Sequence, residues 1–263
     1  MTHPSTKNAL SVCMLASGSK GNAVYVANEE TSLLLDSGLS GVEIERRLSA
    51  INVNPSDLDA IVVSHEHADH VRGVGVLSRR YDLPVYISRK TCRAATSQLG
   101  NIKTFQHFEC GTGFSINSLH VHPFSISHDA DDPAGFTFQS NGAKAGIATD
   151  LGIATNMVKE HLRDCGILIL EANHDPEMLM TGTYPWPVKQ RIKGRSGHLS
   201  NEDSRNLLSA LFHQNLSHVV LAHLSEENNT PEKAMATVGQ ALTRSMARLS
   251  VATQDKCGTL MFL

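Results

Sequence analysis

The run Ser64-His65-Glu66-His67-Ala68-Asp69-His70 constrains this chain more than any other stretch. It places three histidines and one aspartate within six positions, directly after the apolar run 61–63. Imidazole nitrogen and carboxylate oxygen are the ligands that zinc and manganese accept. A strand end feeding a loop can aim several such side chains at one point. The two histidines flanking Glu66 are two apart, so this is not the helical HExxH arrangement. Six residues do not close a two-metal site, and further ligands are expected downstream. His128, Asp150 and His223 are each the first strong ligand type at the end of a strand-like run, over 123–127, 146–149 and 219–222. His120 and His122 compete with His128. They alternate along one strand face, whereas His128 ends the strand and precedes the loop 129–132.

The rest of the pattern predicts an α/β fold with sheets inside and helices outside. Apolar runs with β-branched residues at 12–15, 23–27, 33–35, 61–63, 85–87, 119–127, 136–138, 167–170 and 219–222 predict strands. Apolar residues three or four apart predict helices over 41–50 (Val42, Ile44, Leu48), 201–213 (Leu207, Leu208, Leu211, Phe212) and 231–249 (Met235, Val238, Leu242, Met246, Leu249). Ser200 followed by Asp203 resembles a capping box, and Thr230-Pro231 places a cap before a first-turn proline. No repeat or long linker divides the chain, so residues 9–263 read as one domain after a loose polar start over 1–8.

Composition excludes several classes. Of 263 residues 41% are hydrophobic, too many for a disordered chain. No apolar stretch approaches the ~18 residues of a membrane span, and no secretory signal is expected. A net charge of −3 excludes a globally basic nucleic-acid binder while allowing a local basic patch. Five widely spaced cysteines without a CxxC pair point to reduced thiols in the cytoplasm.

These motifs resemble the metallo-β-lactamase fold superfamily over essentially the whole chain. The resemblance implies a four-layer αββα sandwich and two divalent metal ions, zinc first and manganese as the alternative. Asp36, in Leu33-Leu34-Leu35-Asp36-Ser37-Gly38, matches the family's structural aspartate. By the same matching, one metal takes His65, His67 and His128; the other takes Asp69, His70 and His223; Asp150 bridges. Counting two divalent ions, two aspartates and a hydroxide leaves about one positive charge, which attracts a phosphodiester. Metal lowers the pKa of bound water to about 7, so hydroxide is the implied nucleophile.

Finer details are similar to the YycJ/WalJ-type exonuclease branch, related to ribonuclease Z-like phosphodiesterases. They are Ser17-Gly18-Ser19-Lys20-Gly21-Asn22, Glu171-Ala172-Asn173-His174-Asp175, Gly197-His198-Leu199-Ser200-Asn201 and the run beginning at His223-Leu224-Ser225. That branch implies 5′→3′ exonuclease activity on DNA. His198 is then the general acid and Glu171 its orienting partner, with Asp69 the third catalytic residue. The 17–22 segment lacks the P-loop pattern and reads as a hairpin turn whose Ser19 and Asn22 offer hydrogen bonds to phosphate. His174 reads as ligand support or a substrate contact. Lys189, Arg191, Lys193 and Arg195 precede His198 with no acid between Thr181 and Asn201, and are candidate backbone contacts. Tyr184 and Trp186 beside them are either base-stacking platforms or core. Two other readings stay open: a glyoxalase II-like thioester or lactone hydrolase, and a nucleic-acid-binding module that uses metal only as a clamp. Oligomeric state is not written in the residues.

Overall fold

The computed structural model describes residues 10–243 and 245–263. The expected loose start over 1–8 lies outside the described residues. Strands β1 (Ser11–Ala16), β2 (Ala23–Ala27), β3 (Ser32–Leu35), β4 (Ala60–Val62), β5 (Val85–Ser88) and β6 (Phe105–Phe108) form one sheet. Strands β7 (Phe114–Ile116), β8 (Leu119–Ser125), β9 (Ala134–Ser140), β10 (Ala143–Ala148), β11 (Ile167–Glu171), β12 (His218–Ala222) and β13 (Arg248–Val251) form the second. β14 (Met261–Phe262) returns to pair with β1. Each sheet starts antiparallel and finishes parallel: β3 to β6 in the first, β10 to β13 in the second.

Four layers follow from strands that are apolar on both faces. Leu33 and Leu35 of β3 face the space between the sheets, where they meet Phe136, Phe138, Ile147 and Ile169. Leu34 faces the other way, onto helices α1 (Gly41–Ala50) and, beyond the short α2 (Ala68–Val71), α3 (Val74–Tyr81), packing among Ile44, Leu48 and Leu77. β11 repeats the scheme: Ile167 and Ile169 point inward, while Leu168 and Leu170 point outward. Continuous apolar runs are what parallel strands covered on both faces require. Each such side chain contributes about 2 kcal/mol by leaving water.

α4 (Arg89–Ala94) and α5 (Thr96–Leu99) close the first half; α6 (Asn156–Leu162), α7 (Pro176–Thr181), α8 (Trp186–Ile192), α9 (Asn201–Leu211) and α10 (Pro231–Val238) belong to the second. Four outer helices of the second half, α6, α7, α9 and α10, begin at side-chain caps. Ser200 Oγ accepts the Asp203 amide at 3.1 Å and donates to the Asp203 carboxylate at 2.6 Å. Thr230 caps α10 with Pro231 in its first turn. Leu207, Leu208 and Leu211 of α9 are buried against Ala234 and Val238 of α10.

The helix expected over 231–249 is shorter than its spacing predicts. It ends at Val238, passes through a 3₁₀ turn at Gly239–Leu242, and the chain then enters β13. Glycine holds a helix poorly, and pairing of β13 on β12 offers Leu249 and Val251 a sheet edge instead. Met235 and Met246, read as the apolar face, are exposed. Strands β6, β7, β13 and β14 were not predicted.

The parallel topology places the chemistry. Ligands of open α/β sheets gather at the carboxyl ends of the strands. Asp36 follows β3, His65 lies just past β4, Asp150 past β10, Glu171 ends β11 and His223 follows β12. Asp36, Asp150 and His223 all have left-handed backbones, with φ of 61°, 58° and 56°. Each of these strands is broken at a candidate site residue, in a conformation that costs energy for a non-glycine residue. The turn after β3 then presses onto the histidine loop. Ser37 N–H donates to His70 O at 2.8 Å, Asn22 N–H to Asp69 O at 2.7 Å and Gly38 N–H to Asn22 O at 2.8 Å.

A Cβ on Gly38 would overlap the Asp69 carbonyl oxygen and crowd the Asn22 amide. Gly38→Ala is expected to lower Tm by at least about 6 °C in a thermal melt, the scale of a backbone overpacking.

Candidate metal centre

The histidine loop is held from behind by one carboxylate. Asp36 Oδ1 accepts the Ser64 amide at 2.8 Å; Oδ2 accepts Ser64 Oγ at 2.7 Å and His70 Nδ1 at 2.8 Å. Ser64 Oγ, having given its hydrogen to Asp36, accepts from His65 Nδ1 at 2.9 Å. His223 Nδ1 donates to Glu171 Oε1 at 2.9 Å, and His128 Nδ1 faces Gly197 O at 3.4 Å. Four rings are thus tied outward through Nδ1, which leaves Nε2 as a lone-pair donor. This is the arrangement of metal-ligating histidines.

The free nitrogens meet. His65 Nε2 and His128 Nε2 lie 3.1 and 3.3 Å from His67 Nδ1. His70 Nε2 lies 3.4 Å from Asp69 Oδ2, which is 3.8 Å from His223 Nε2. Asp150 spans the two groups: Oδ1 is 3.8 Å from His128 Nε2 and 3.5 Å from His223 Nε2, and Oδ2 is 3.3 Å from His70 Nε2. Among the described residues, the sets His65-His67-His128 and Asp69-His70-His223 each converge closely enough to hold an ion.

The donor set fits divalent metal on two counts. Nitrogens each ~2.0–2.1 Å from a tetrahedral zinc lie roughly 3.3 Å apart, close to the separations seen here. Asp150 Oδ2 and His223 Nε2 are buried without a hydrogen-bond partner, a cost that a coordinated cation removes. Electrostatics agree with crowding in a dry site. Burial, then the His70 charge, pushes His65 below its ordinary pKa. Burial opposes charge on Asp150, but His223 and His70 outweigh it and hold the carboxyl well below its usual range.

Beside this cluster stands a buried glutamate. Glu171 Oε1 receives His198 Nδ1 at 2.7 Å as well as His223, and Oε2 accepts the amides of Leu151 at 2.8 Å and Leu199 at 3.1 Å. The antechamber is a cleft of about 290 Å³ lined by Ser19, Asp129, Arg191 and His198 with the exposed edges of the ligand set.

Residues 31–224 match the family profile described as Beta-lactamase superfamily domain. The chain belongs to the metallo-β-lactamase superfamily. Over 231 residues it is 41% identical to exodeoxyribonuclease YycJ of Bacillus anthracis, covering 87% of this chain and 88% of that protein. Exodeoxyribonuclease WalJ of Streptococcus pneumoniae is 38% identical over 236 residues, 88% of each. The fold is shared with YhfI of Bacillus subtilis (TM-score 0.75, 14% identity, 98% and 100% of the two chains) and with the short form of human tRNase Z (TM-score 0.63, 16% identity, 95% and 98%). As a member of the metallo-β-lactamase superfamily with such relatives, the chain is a metal-dependent hydrolase.

The superfamily fold gathers His65, His67, Asp69, His70, His128, Asp150 and His223, and sets His198 and Glu171 at their side. His120 is exposed, and His122 packs on His161 with ring centroids 4.8 Å apart, away from the cluster. The other sequence candidates divide. Ser19 and Arg191 line the cleft, and Lys193 lies over the Trp186 ring at 5.7 Å. Arg195 is exposed just outside, its carbonyl held by Ser127 Oγ. Asn22 turns inward instead: it is buried, and its amide donates to Gly18 O and to Asp69 Oδ2 at 3.0 Å. Lys189 also turns away, its ammonium spent on the carbonyls of Met180 and Gly182. His174 is buried behind the cleft with Nδ1 unpartnered. Sequence reasoning missed Asp129, which stands 3.3 Å from His128 Nε2 and 4.0 Å from Arg191. Its only signal was its place next to His128.

Asp36→Asn keeps the size but loses the charge that orients His70 and Ser64. Metal affinity, read by competition with a chelator, is expected to fall about 10–100-fold, while circular dichroism stays that of the parent.

Proposed function

We propose that the chain is a two-metal phosphodiesterase that degrades DNA as a 5′→3′ exonuclease. The observation that carries this reading is the 2.7 Å bond between His198 Nδ1 and Glu171 Oε1 beside the ligand cluster. A phosphodiester expels an alkoxide, which leaves poorly unless a proton reaches it. The bond to Glu171 commits Nδ1 and leaves Nε2 as the ring nitrogen for the leaving oxygen. Burial disfavours a charged His198, but the Glu171 carboxylate and its hydrogen bond outweigh it and raise the pKa. A raised pKa keeps the acid form present to higher pH. Glu171 holds the resulting charge and, through the same oxygen, the ligand His223.

His65, His67 and His128 would hold one ion and Asp69, His70 and His223 the other, with Asp150 shared. Bound there, the ions supply Lewis acidity that makes hydroxide available near neutral pH and offsets phosphate charge. Zinc is the proposed ion, with manganese as the alternative, since imidazole and carboxylate suit both. Arg191 and Ser19 at the mouth are the proposed phosphate contacts. Lys193 on Trp186 adds a cationic, stackable surface on the same helix as Arg191. The exodeoxyribonuclease relatives support DNA as substrate; the 5′→3′ polarity comes from the branch resemblance.

His198→Ala is expected to retain its metal while slowing DNA cleavage about 10²–10⁴-fold. Cleavage of bis-nitrophenyl phosphate, whose leaving group needs no proton, should fall far less. Equal slowing of both removes His198 from the acid role. Hydrolysis of a glutathione thioester at a rate matching that of end-labelled DNA would transfer the site to the thioesterase reading.

A further inference from the structure

Away from the cleft, two cysteines from opposite ends of the chain touch. Cys13 in β1 and Cys257, 244 positions later, have their sulfurs 3.7 Å apart. Their backbones are held together as well: Gly258 N–H donates to Met14 O at 2.8 Å, and Cys13 Sγ also reaches Gly258 O at 3.3 Å. The sulfurs need to close by about 1.7 Å to reach the ~2.05 Å of a disulfide. The backbones that carry them are already neighbours.

The two thiols differ as an attacking and a resolving thiol must. Cys13 is buried on the helix-facing side of its sheet, among Leu15, Leu34 and Ile44. Cys257 is half-buried on the segment before β14, with solvent on one side. We propose that Cys13 and Cys257 are a hydroperoxide-responsive disulfide site, with Cys257 the attacking sulfur and Cys13 the resolving one. The hydrogen bond from Cys13 lowers the Cys257 pKa to about 7; burial works against this and the Arg47 and Arg46 charges work with it. The same sharing, together with burial, raises Cys13.

The chemistry balances with a hydroperoxide as oxidant. Cys257 thiolate attacks one peroxide oxygen, the O–O bond breaks, and hydroxide leaves and takes up a proton, giving the sulfenic acid. Cys13 sulfur then attacks the Cys257 sulfur as its proton passes to the departing hydroxyl. An S–S bond forms, the S–O bond breaks and water leaves. Two thiols lose two electrons, and hydrogen peroxide becomes two waters.

The linked segment bears on the cleft. Gln254 accepts the Lys20 amide at 2.9 Å and donates to Gly21 O at 2.9 Å, so residues 253–258 brace the turn that carries Ser17, Ser19 and Asn22. Ser17 Oγ in turn accepts the His223 amide at 2.7 Å. Closing the sulfurs fixes this brace to β1.

The test treats reduced, zinc-loaded protein with low equivalents of hydrogen peroxide and maps its peptides without reduction. Alkylatable thiols are expected to fall from five by the two of this pair, and a cross-linked peptide to join Cys13 to Cys257. Before oxidation Cys257 should be alkylated at least ~10-fold faster at pH 7 than Cys92, whose pKa burial raises. In Cys13→Ser the peroxide should leave a sulfenic acid on Cys257, trapped by dimedone. Hydrogen exchange over 17–22 and 253–258 should slow in the oxidised wild type. The proposal is overturned if Cys13 and Cys257 stay alkylatable at a dose that oxidises Cys92 or Cys110, or if the cross-link joins other cysteines. The wild-type peptide map decides the matter even if the serine variant does not fold, and it is independent of any nuclease assay.

Discussion

Seven imidazole and carboxylate side chains that could hold metal, facing one another in a mostly buried volume, are the condition on which the rest of this protein depends. Without a cation, His65 Nε2 and His128 Nε2 crowd His67 Nδ1 at 3.1 and 3.3 Å, and Asp150 Oδ2 and His223 Nε2 are buried without a hydrogen-bond partner. With one, the same atoms become a ligand shell. Holding such an arrangement open for an ion needs rigid supports that are themselves hydrogen-bonded, because a misaligned ligand set binds weakly. Asp36 supplies this for the histidine loop and Glu171 for His223. Asp36 accepts three hydrogen bonds and Glu171 four, which holds each carboxylate in place at the edge of an apolar core.

The fold provides these supports twice, in parallel form. β3 and β4 bring Asp36 beside Ser64; β11 and β12 bring Glu171 beside His223 through the pairing of Glu171 with Ala222. In both halves the strands are buried on two faces, so their registers are strongly specified, and a one-residue slip would send every ligand to the wrong side. The left-handed backbones at Asp36, Asp150 and His223 are tolerated because the surrounding sheet over-determines them. Glu171 would link metal binding to proton transfer, since one of its oxygens holds both the proposed ligand His223 and the proposed acid His198.

Much of this was legible in the residues, and the reasons are local. The run from His65 to His70 carries its ligands within one loop. His128, Asp150 and His223 stood out as candidates because each closes an apolar strand pattern, and the fold brings all three to the same cluster. The central strands β1 to β5 and β8 to β12 were readable because double-sided burial demands unbroken apolar runs. β6 and β7 were not: Phe105-Gln106-His107-Phe108 and Phe114-Ser115-Ile116 are short and half polar, as edge strands are. Past Gly239 the apolar spacing suited a helix as well as a strand, and only the free edge of β12 resolved it.

What the sequence alone determined was the chemistry available: the types and order of the candidate ligands, the breaks after their strands and the caps at Ser200 and Thr230. These depend on a residue and its near neighbours. Only the tertiary structure decided which way each remaining polar side chain points. Lys189 and Arg191 lie in one helix two residues apart, yet one is spent on the carbonyls of Met180 and Gly182 and the other lines the cleft. Asn22 turns to Asp69 while Ser19 stays at the mouth. Cys13 meets Cys257 across the whole length of the chain. Helix rotation, turn direction and contacts between distant segments are set by packing among elements that no local pattern encodes.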